Sequence, residues 1–266
     1  MGTARRPAEA DRLERERVWH DERFAHAPGR GPTLSSFTAG LTMEALRRVY
    51  AHVKTASAGK SVLDYGCSMG EASLLLSSYG AASVEGIDLS PVAVSQAEAA
   101  ARAKSVNNVS FQVMNAESLE FADDAFDIVF GIGIIHHLNV DKACGEIARV
   151  LKPGGFAVFL EPLGHNPFIN AVRRATPGSR TEDEHPLRLE DLDACSRHFG
   201  RVELEFVNFL TLLAAPLIGV PGRERLRALL NGADKRVLRL MPFLGRYAWN
   251  VVVRLESPRS PAPGTT

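Results

Sequence analysis

The sequence predicts an α/β protein with a doubly wound, mostly parallel β-sheet and helices on both faces. Five short, nearly continuous apolar runs alternate with stretches of helical periodicity, which is typical of parallel strands buried on both faces. The chain has 266 residues, 45% hydrophobic and 23% charged. It is therefore long enough for one large domain, and its composition excludes disorder of the whole chain.

The predicted core begins after Gly59. Its five apolar strands are 61–65, 84–88, 109–114, 126–132 and 156–161. The helices between them are predicted at 70–78, 91–104 and 140–151. A polar loop (166–187), a helix (189–199), a strand (202–209), further helical sequence and a last strand (248–255) follow. These elements give a seven-stranded sheet in a three-layer sandwich.

A charged helical segment precedes this core. Residues 8–27 mix acids and bases at helical spacing with a sparse apolar stripe, and a second amphipathic helix begins near Thr42. His20 and Asp21 are expected to close over a site or shape its wall when the first helix docks. We divide the chain into an N-terminal helical lid (1–57), a core (58–256) with substrate-side insertions at about 163–200 and 210–245, and a flexible tail (257–266) with three prolines.

Charge and cysteine usage exclude several classes of protein. Lys plus Arg and Asp plus Glu are 31 each, so no global field attracts nucleic acid or an anionic membrane. Three cysteines without a CxxC pair argue against a disulfide framework and against a zinc site. The most apolar stretch, 206–220, is interrupted by Asn208 and Pro216 and is too short to span a bilayer. We expect a cytoplasmic protein with no nucleic-acid partner, no stable membrane insertion and no bound metal.

The turn after the first strand indicates a nucleoside cofactor. It reads VLDYGCSMG, and its glycines let the backbone approach a ligand at a helix N-terminus. Asp88 ends the second strand, 24 residues after Asp64, where an acid can accept hydrogen bonds from ribose hydroxyls. Ser68 replaces the middle glycine of a dinucleotide turn, and Asp64 would repel a diphosphate. The residues therefore favour a positively charged cofactor and leave an NAD-dependent oxidoreductase as a weaker alternative.

Five segments resemble, in order and spacing, the motifs of class I S-adenosylmethionine-dependent methyltransferases. They are VLDYGCSMG, VEGIDLS, NAESLEF, FDIVFGIGIIHHL and RVLKPGGFAVFLEP, between about residues 60 and 162. The resemblance implies a Rossmann-like methyltransferase fold, S-adenosylmethionine as the cofactor and S-adenosylhomocysteine as the product.

The resemblance also implies a set of cofactor-binding residues. They are Asp64, Gly66, Cys67, Ser68, Gly70, Asp88, Leu89, Asn115, Ala116 and Ile132. The turn residues would surround the methionine portion, with Cys67 as a small packing residue. Asp88 would hold the ribose, and Leu89 would pack on the adenine. Asn115 stands where the family often has an acid, so it keeps an acceptor without the charge.

Methyl transfer mainly requires alignment of the acceptor with an already activated methyl group, which can supply roughly 7–11 kcal/mol. A hydroxyl or carboxyl acceptor also needs a base beyond the strand ends. The candidates are His136, His137, Glu161 and His165. One of the adjacent histidines is expected to face the cofactor and the other to point elsewhere. Packing histidines that hold the loop, and a Glu161 that caps the next turn, are the competing interpretations.

The leading hypothesis is transfer of a methyl group to a small, fairly hydrophobic metabolite, natural-product or lipid-like. The chain beyond the core is modest in size and rich in Leu, Phe and Val over 206–244. Oxygen is the first acceptor considered, with carbon and nitrogen left open. No Asn-Pro-Pro-Tyr or Asp-Pro-Pro-Tyr motif follows the fourth strand, which disfavours nucleic-acid and protein acceptors. The alternatives are a methyltransferase-like scaffold for cyclisation or partner binding, and a homo-oligomer contact through the terminal helices.

Overall fold

The computed structural model describes residues 9–25, 41–176, 181, 184–217 and 220–259. Its seven-stranded sheet has the order β3-β2-β1-β4-β5-β7-β6. The first five strands in this order are parallel, and β7 is antiparallel to both β5 and β6. The strands are β1 Ser61–Tyr65, β2 Ser83–Asp88, β3 Val109–Val113, β4 Phe126–Ile132, β5 Leu151–Pro162, β6 Phe199–Val207 and β7 Asn250–Pro258. The predicted fold class is confirmed.

Eight α-helices lie in the described part of the chain. They are α1 Glu9–Ala25, α2 Thr42–Lys54, α3 Glu71–Ser78, α4 Pro91–Ala103, α5 Val140–Val150, α6 Pro167–Ala175, α7 Leu189–His198 and α8 Arg223–Leu240. Short 3₁₀ segments cover Ile135–His137, Leu210–Leu217 and Pro242–Tyr247. None of these helices is both long and apolar enough to cross a bilayer.

The sheet separates two apolar layers because successive strand residues point to opposite faces. On one face Leu63 and Val129 pack with residues of α5 and α7. On the other, Val62 and Ile128 pack with residues of α2 and α3. Burial on both faces explains why the central strands read as continuous apolar runs.

Side-chain caps fix where several helices begin. The Ser90 hydroxyl oxygen accepts from the Ala93 N–H at 3.1 Å ahead of α4, and Pro91 occupies the first turn. The Asn139 side chain accepts from the Lys142 N–H at 3.2 Å ahead of α5. Such oxygens satisfy amide groups that have no partner within the helix.

Several predicted elements differ from the structure, including β5, which begins at Leu151 and not at residue 156. The polar loop 166–187 contains helix α6, because Asn166 accepts from the Phe168 and Ile169 N–H groups at 3.0 Å and Pro167 starts the first turn. The strand placed at 202–209 lies earlier, as β6. Its bounds follow from antiparallel pairing with β7, a long-range interaction that local hydrophobicity does not report. β7 reaches Pro258, and residues 260–266 of the expected tail lie outside the described residues.

The cysteines also differ from expectation. Cys144 on α5 and Cys195 on α7 are joined in a disulfide, with Cα atoms 5.4 Å apart. They are 51 residues apart in sequence, but α5 and α7 pack against each other on one face of the sheet. The wide separation of the two cysteines in the sequence therefore did not exclude a disulfide between them. Cys67 is buried and unpaired.

Candidate active site

A cavity of about 240 Å³ lies between helix α1 and the carboxyl ends of β1, β2 and β4. In doubly wound sheets, ligands bind outside the strand ends where the strand order reverses, and here β1 lies between β2 and β4. We call α1 the roof of the cavity and the residues from the sheet side its floor. The floor residues are Gly66, Ser68, Ile87, Asp88, Leu89, Met114, Asn115, Ala116, Ile132, Gly133, Ile134, His137 and Leu138.

Asp88 is fixed in the floor by backbone groups. The Ser68 N–H donates to its Oδ2 and the Ser90 N–H to its Oδ1, both at 2.9 Å. Gly66 and Ser68 have φ of 82° and 50°, so the turn uses the left-handed region at both positions. A Cβ at Gly66 would lie 2.9 Å from the Ile134 side chain. The turn thus presents backbone and one anchored carboxylate to the cavity.

Three other turn residues lie behind this surface, and none is among the cavity-lining residues. Gly70 has φ of 81°, and a Cβ there would lie 2.9 Å from both Ala97 and Phe111, so close packing explains the glycine. Asp64 is 1% exposed and accepts from the Ser73 hydroxyl at 2.5 Å. Burial raises the pKa of Asp64 to about 7, aided by the charge of Asp88 and opposed by the Ser73 hydrogen bonds. Burial also raises the pKa of the Cys67 thiol.

The side of the floor expected to hold the adenine is built by the segment after β3. Asn115 accepts from the Glu117 N–H at 2.9 Å through its own Oδ1, which closes a local turn. The Ala116 carbonyl accepts from the Tyr65 hydroxyl. The segment is therefore tied to β1 and lies beside Leu89 in the cavity wall.

The roof reaches the floor through long-range polar contacts. Arg12 donates to the His137 carbonyl at 2.8 Å and pairs with Glu117 at 2.5 Å. Gln96 of α4 donates to the Phe24 carbonyl at 3.0 Å, and the Ser90 hydroxyl donates to Asp21. The cavity-lining side chains of α1 are Arg12, Leu13, Glu16, His20, Arg23 and Phe24.

Of the two adjacent histidines, His137 lines this cavity. Its Nδ1 lies 3.3 Å from Glu16 Oε2 of the roof, and its ring centroid is 5.5 Å from that of His20. Glu16 is 4% exposed. Burial acts to raise its pKa, but interactions with His137, His20 and Thr181 outweigh burial and hold that pKa well below its usual range.

His136 lines a separate cavity of about 390 Å³ beside α7. Its Nδ1 lies 2.7 Å from Glu161 Oε2. Glu161 is completely buried, and its Oε1 accepts from the N–H groups of Ile134 and Ile135 at 3.0 and 2.9 Å. The buried Glu161 carboxylate therefore holds the loop after β4 through two backbone N–H groups and also contacts the His136 ring.

His165 is not brought into either cavity. Its Nε2 accepts from the Leu189 N–H at 3.2 Å and lies 3.6 Å from Glu190, so it joins the end of β5 to the start of α7. Sequence reasoning missed Glu16 and Arg12 as cavity residues. The signal available for Glu16 was its position four residues before His20, which places both on one helix face.

The comparisons with known proteins agree with this geometry. A family model described as a methyltransferase domain matches residues 62–155. The chain is 42% identical over 106 residues to the uncharacterized methyltransferase YcgJ of Bacillus subtilis, covering 39% of this chain and 42% of that protein. It is 33% identical over 144 residues to norajmaline N-methyltransferase of Rauvolfia serpentina, covering 52% and 49%. The matches thus span about half or less of these curated relatives.

A solved structure matches the fold over nearly the whole chain. Geranyl diphosphate C-methyltransferase from Streptomyces coelicolor A3(2), in complex with Mg²⁺, geranyl diphosphate and S-adenosyl-L-homocysteine, has a TM-score of 0.62 at 15% identity. The match covers 96% of this chain and 100% of that one. At this identity it shows the fold alone. Residues 62–155 thus match a methyltransferase domain, and their motifs resemble those of class I S-adenosylmethionine-dependent methyltransferases.

Proposed function

We propose that the chain binds S-adenosylmethionine in the cavity under α1 and transfers its methyl group to a small, fairly hydrophobic metabolite. The observation that carries the proposal is the anchored Asp88 carboxylate beside the glycine turn, in a cavity that also contains His137. A carboxylate that is already held in place can accept hydrogen bonds from both ribose hydroxyls without moving.

The floor offers a surface for each part of this cofactor. Leu89, Met114 and Ala116 supply apolar surface for a purine ring. Gly66 and Ser68 supply backbone for the methionine portion. The charge of Asp88 in the cavity wall favours a sulfonium and an ammonium over a diphosphate.

The chemistry is an in-line displacement. The acceptor atom forms a bond to the methyl carbon while the carbon–sulfur bond breaks, and the electron pair of that bond stays on sulfur in S-adenosylhomocysteine. An oxygen or nitrogen acceptor also loses a proton. His137 is the proposed proton acceptor because it lines the cavity. Glu161 and His136 are proposed as positioning residues that hold the loop carrying His137.

Apolar side chains in the cavity support the proposed substrate class. Leu13 and Phe24 of the roof and Ile134 and Leu138 of the floor contribute apolar surface to it. Two similar proteins named above carry small-molecule substrates in their names, an N-methyltransferase and a C-methyltransferase. These names support a metabolite as the substrate, and oxygen remains the proposed acceptor atom for this chain.

Transfer of a radiolabelled methyl group from S-adenosylmethionine into fractionated cell extract tests the proposal, with heat-killed protein as the control. We expect label in an organic-soluble small-molecule fraction. Label in protein or nucleic acid would reject the metabolite. Tight S-adenosylhomocysteine binding without any label would favour the scaffold alternative.

The His137→Ala and His136→Ala variants test the roles of the two histidines on the acceptor identified in this way. We expect His137→Ala to lower kcat by about 100-fold or more, because proton transfer by a positioned base contributes about that much. His136→Ala should have a smaller effect, since His136 faces the other cavity. Calorimetric affinity for S-adenosylhomocysteine should change little in both. Equal kcat values in the two variants would contradict the assignment.

A further inference from the structure

Three potential metal ligands converge where the roof meets the floor. Glu16 and His20 are four residues apart on α1, and His137 comes from the 3₁₀ segment after β4. Glu16 Oε2 lies 3.6 Å from His20 Nε2 and 3.3 Å from His137 Nδ1. The three ligand atoms all lie within 4.8 Å of one another.

Two of these atoms are buried without a hydrogen bond. Glu16 Oε2 and His137 Nδ1 have no hydrogen-bond partner among the described residues, although they face each other. The other carboxylate oxygen of Glu16 accepts from the Thr181 hydroxyl at 2.5 Å, which fixes its orientation. Buried polar atoms are normally paired, and these two atoms face each other at ion-pair distance without a hydrogen bond, an arrangement that an ion bound to both would complete.

The two spacings from Glu16 fit a metal ion. A tetrahedral ion with bonds of about 2.0–2.2 Å holds its ligand atoms about 3.3–3.6 Å apart, and the distances from Glu16 Oε2 to the two imidazole nitrogens are in this range. Two imidazoles and one carboxylate suit zinc-class divalent ions better than Mg²⁺ or Ca²⁺, which prefer oxygen. Three protein ligands would leave one coordination position open.

A second group, His136, His137 and Glu184, is also close enough to share an ion. It is the weaker candidate because two of its members are already engaged. His136 Nδ1 contacts Glu161 at 2.7 Å, and Glu184 pairs with Arg173 at 2.5 Å.

We propose that Glu16, His20 and His137 form a binding site for a divalent transition-metal ion of the zinc class. Two ligands belong to the roof and one to the floor, so binding joins α1 to the loop after β4 and closes the cavity that all three residues line. The site does not depend on the proposed methyl transfer. The ligand role and the proton-acceptor role of His137 are therefore alternatives.

Titration of the chelator-treated full chain with Co²⁺ tests the site, because four-coordinate Co²⁺ absorbs visible light and Zn²⁺ displaces it. We expect one Co²⁺ per chain, released by one equivalent of Zn²⁺. Glu16→Gln and His20→Ala should each weaken binding by more than about 100-fold, since each removes a ligand. His198→Ala is the matched control, because His198 pairs with Asp141 on the surface.

No Co²⁺ binding by the wild-type chain would overturn the proposal, as would unchanged affinity in His20→Ala. An equal loss in His198→Ala would also contradict it. Circular dichroism checks that each variant folds. If Glu16→Gln fails to fold, His20→Ala still tests the site, because the His20 side chain is only partly buried. S-adenosylhomocysteine binding measured in parallel separates failure of the metal site from failure of the methyltransferase assignment.

Discussion

The floor and the roof of the cavity are stabilised in different ways. In the floor, Asp88 is held by two backbone N–H groups from segments next to it in space. In the roof, Arg12 reaches residues 105 and 125 positions away, through side-chain contacts to Glu117 and the His137 carbonyl. The floor contacts come from backbone groups, whereas the roof is held by side-chain contacts between distant segments, including the largely buried Arg12–Glu117 pair. The roof therefore depends on more distant parts of the chain than the floor does.

The largest expected effect concerns Asp64 beneath the floor. Burial raises the pKa of Asp64 to about 7 from 3.8, so between these values the native chain keeps a proton that the unfolded chain has lost. The free energy of unfolding of the wild type should therefore fall as pH rises from about 4 to about 7, by on the order of 4 kcal/mol at most. The Asp64→Asn variant has no carboxyl group at this position, so this contribution to the pH dependence is absent from it.

Urea unfolding of Asp64→Asn and wild type across that pH range checks the effect. The difference, variant minus wild type, should become more positive as pH rises. Asp124→Asn is the control, because Asp124 is exposed and its φ of 54° accommodates asparagine. Parallel pH profiles for wild type and Asp64→Asn would show that Asp64 titrates normally.

The second effect concerns the ribose contact. Asp88→Ala should weaken S-adenosylhomocysteine binding by about 100-fold or more, because hydrogen bonds to a charged acceptor contribute about 1.5–3 kcal/mol each. Titration calorimetry measures the affinity, and a thermal melt reports the cost of leaving the Ser68 and Ser90 N–H groups unpaired. Glu98→Ala, an exposed acid paired with Arg102 on α4, is the control. Unchanged affinity in Asp88→Ala would refute the ribose role.

The smallest effect tests the roof. Arg12→Ala should reduce the hydrogen-exchange protection of α1 by about 10-fold to 30-fold, since it removes the partner of the buried Glu117 carboxylate. Lys142→Ala removes the exposed pair with Glu9 and should change protection little, because exposed ion pairs contribute little. If both variants lost protection equally, the Arg12 contacts would not be what seats the roof.

The floor could be largely predicted from the sequence because its determinants are local. Strands β1 and β4 agree with their predicted bounds, since buried parallel strands leave continuous apolar runs. The resemblance named residues along one contiguous segment for the cofactor, and Ser68, Asp88 and Asn115 do line the cavity. Their roles toward the cofactor remain predictions until binding is measured.

The features that the sequence did not predict depend on contacts between distant segments of the chain. Glu16 is buried and accepts a hydrogen bond from Thr181, 165 residues away. Its spacing of four residues from His20 places both on one helix face but does not report this burial. Which of His136 and His137 faces the cavity follows from Glu161, which holds His136 away from it. The Cys144–Cys195 pair depends on the packing of α5 against α7. Helix α6 was predictable in principle from the Asn-Pro start at residue 166.

The position of β7 between β5 and β6 has a consequence for how the chain is synthesised. β7 pairs with β5 from Asn250 to Glu256 and with β6 from Asn250 to Pro258. Until residues 250–258 leave the ribosome, β6 has no partner in the sheet and one edge of β5 is open. Unpaired strand edges promote association with other chains. The nascent protein must therefore keep these edges apart from other chains until β7 inserts between them.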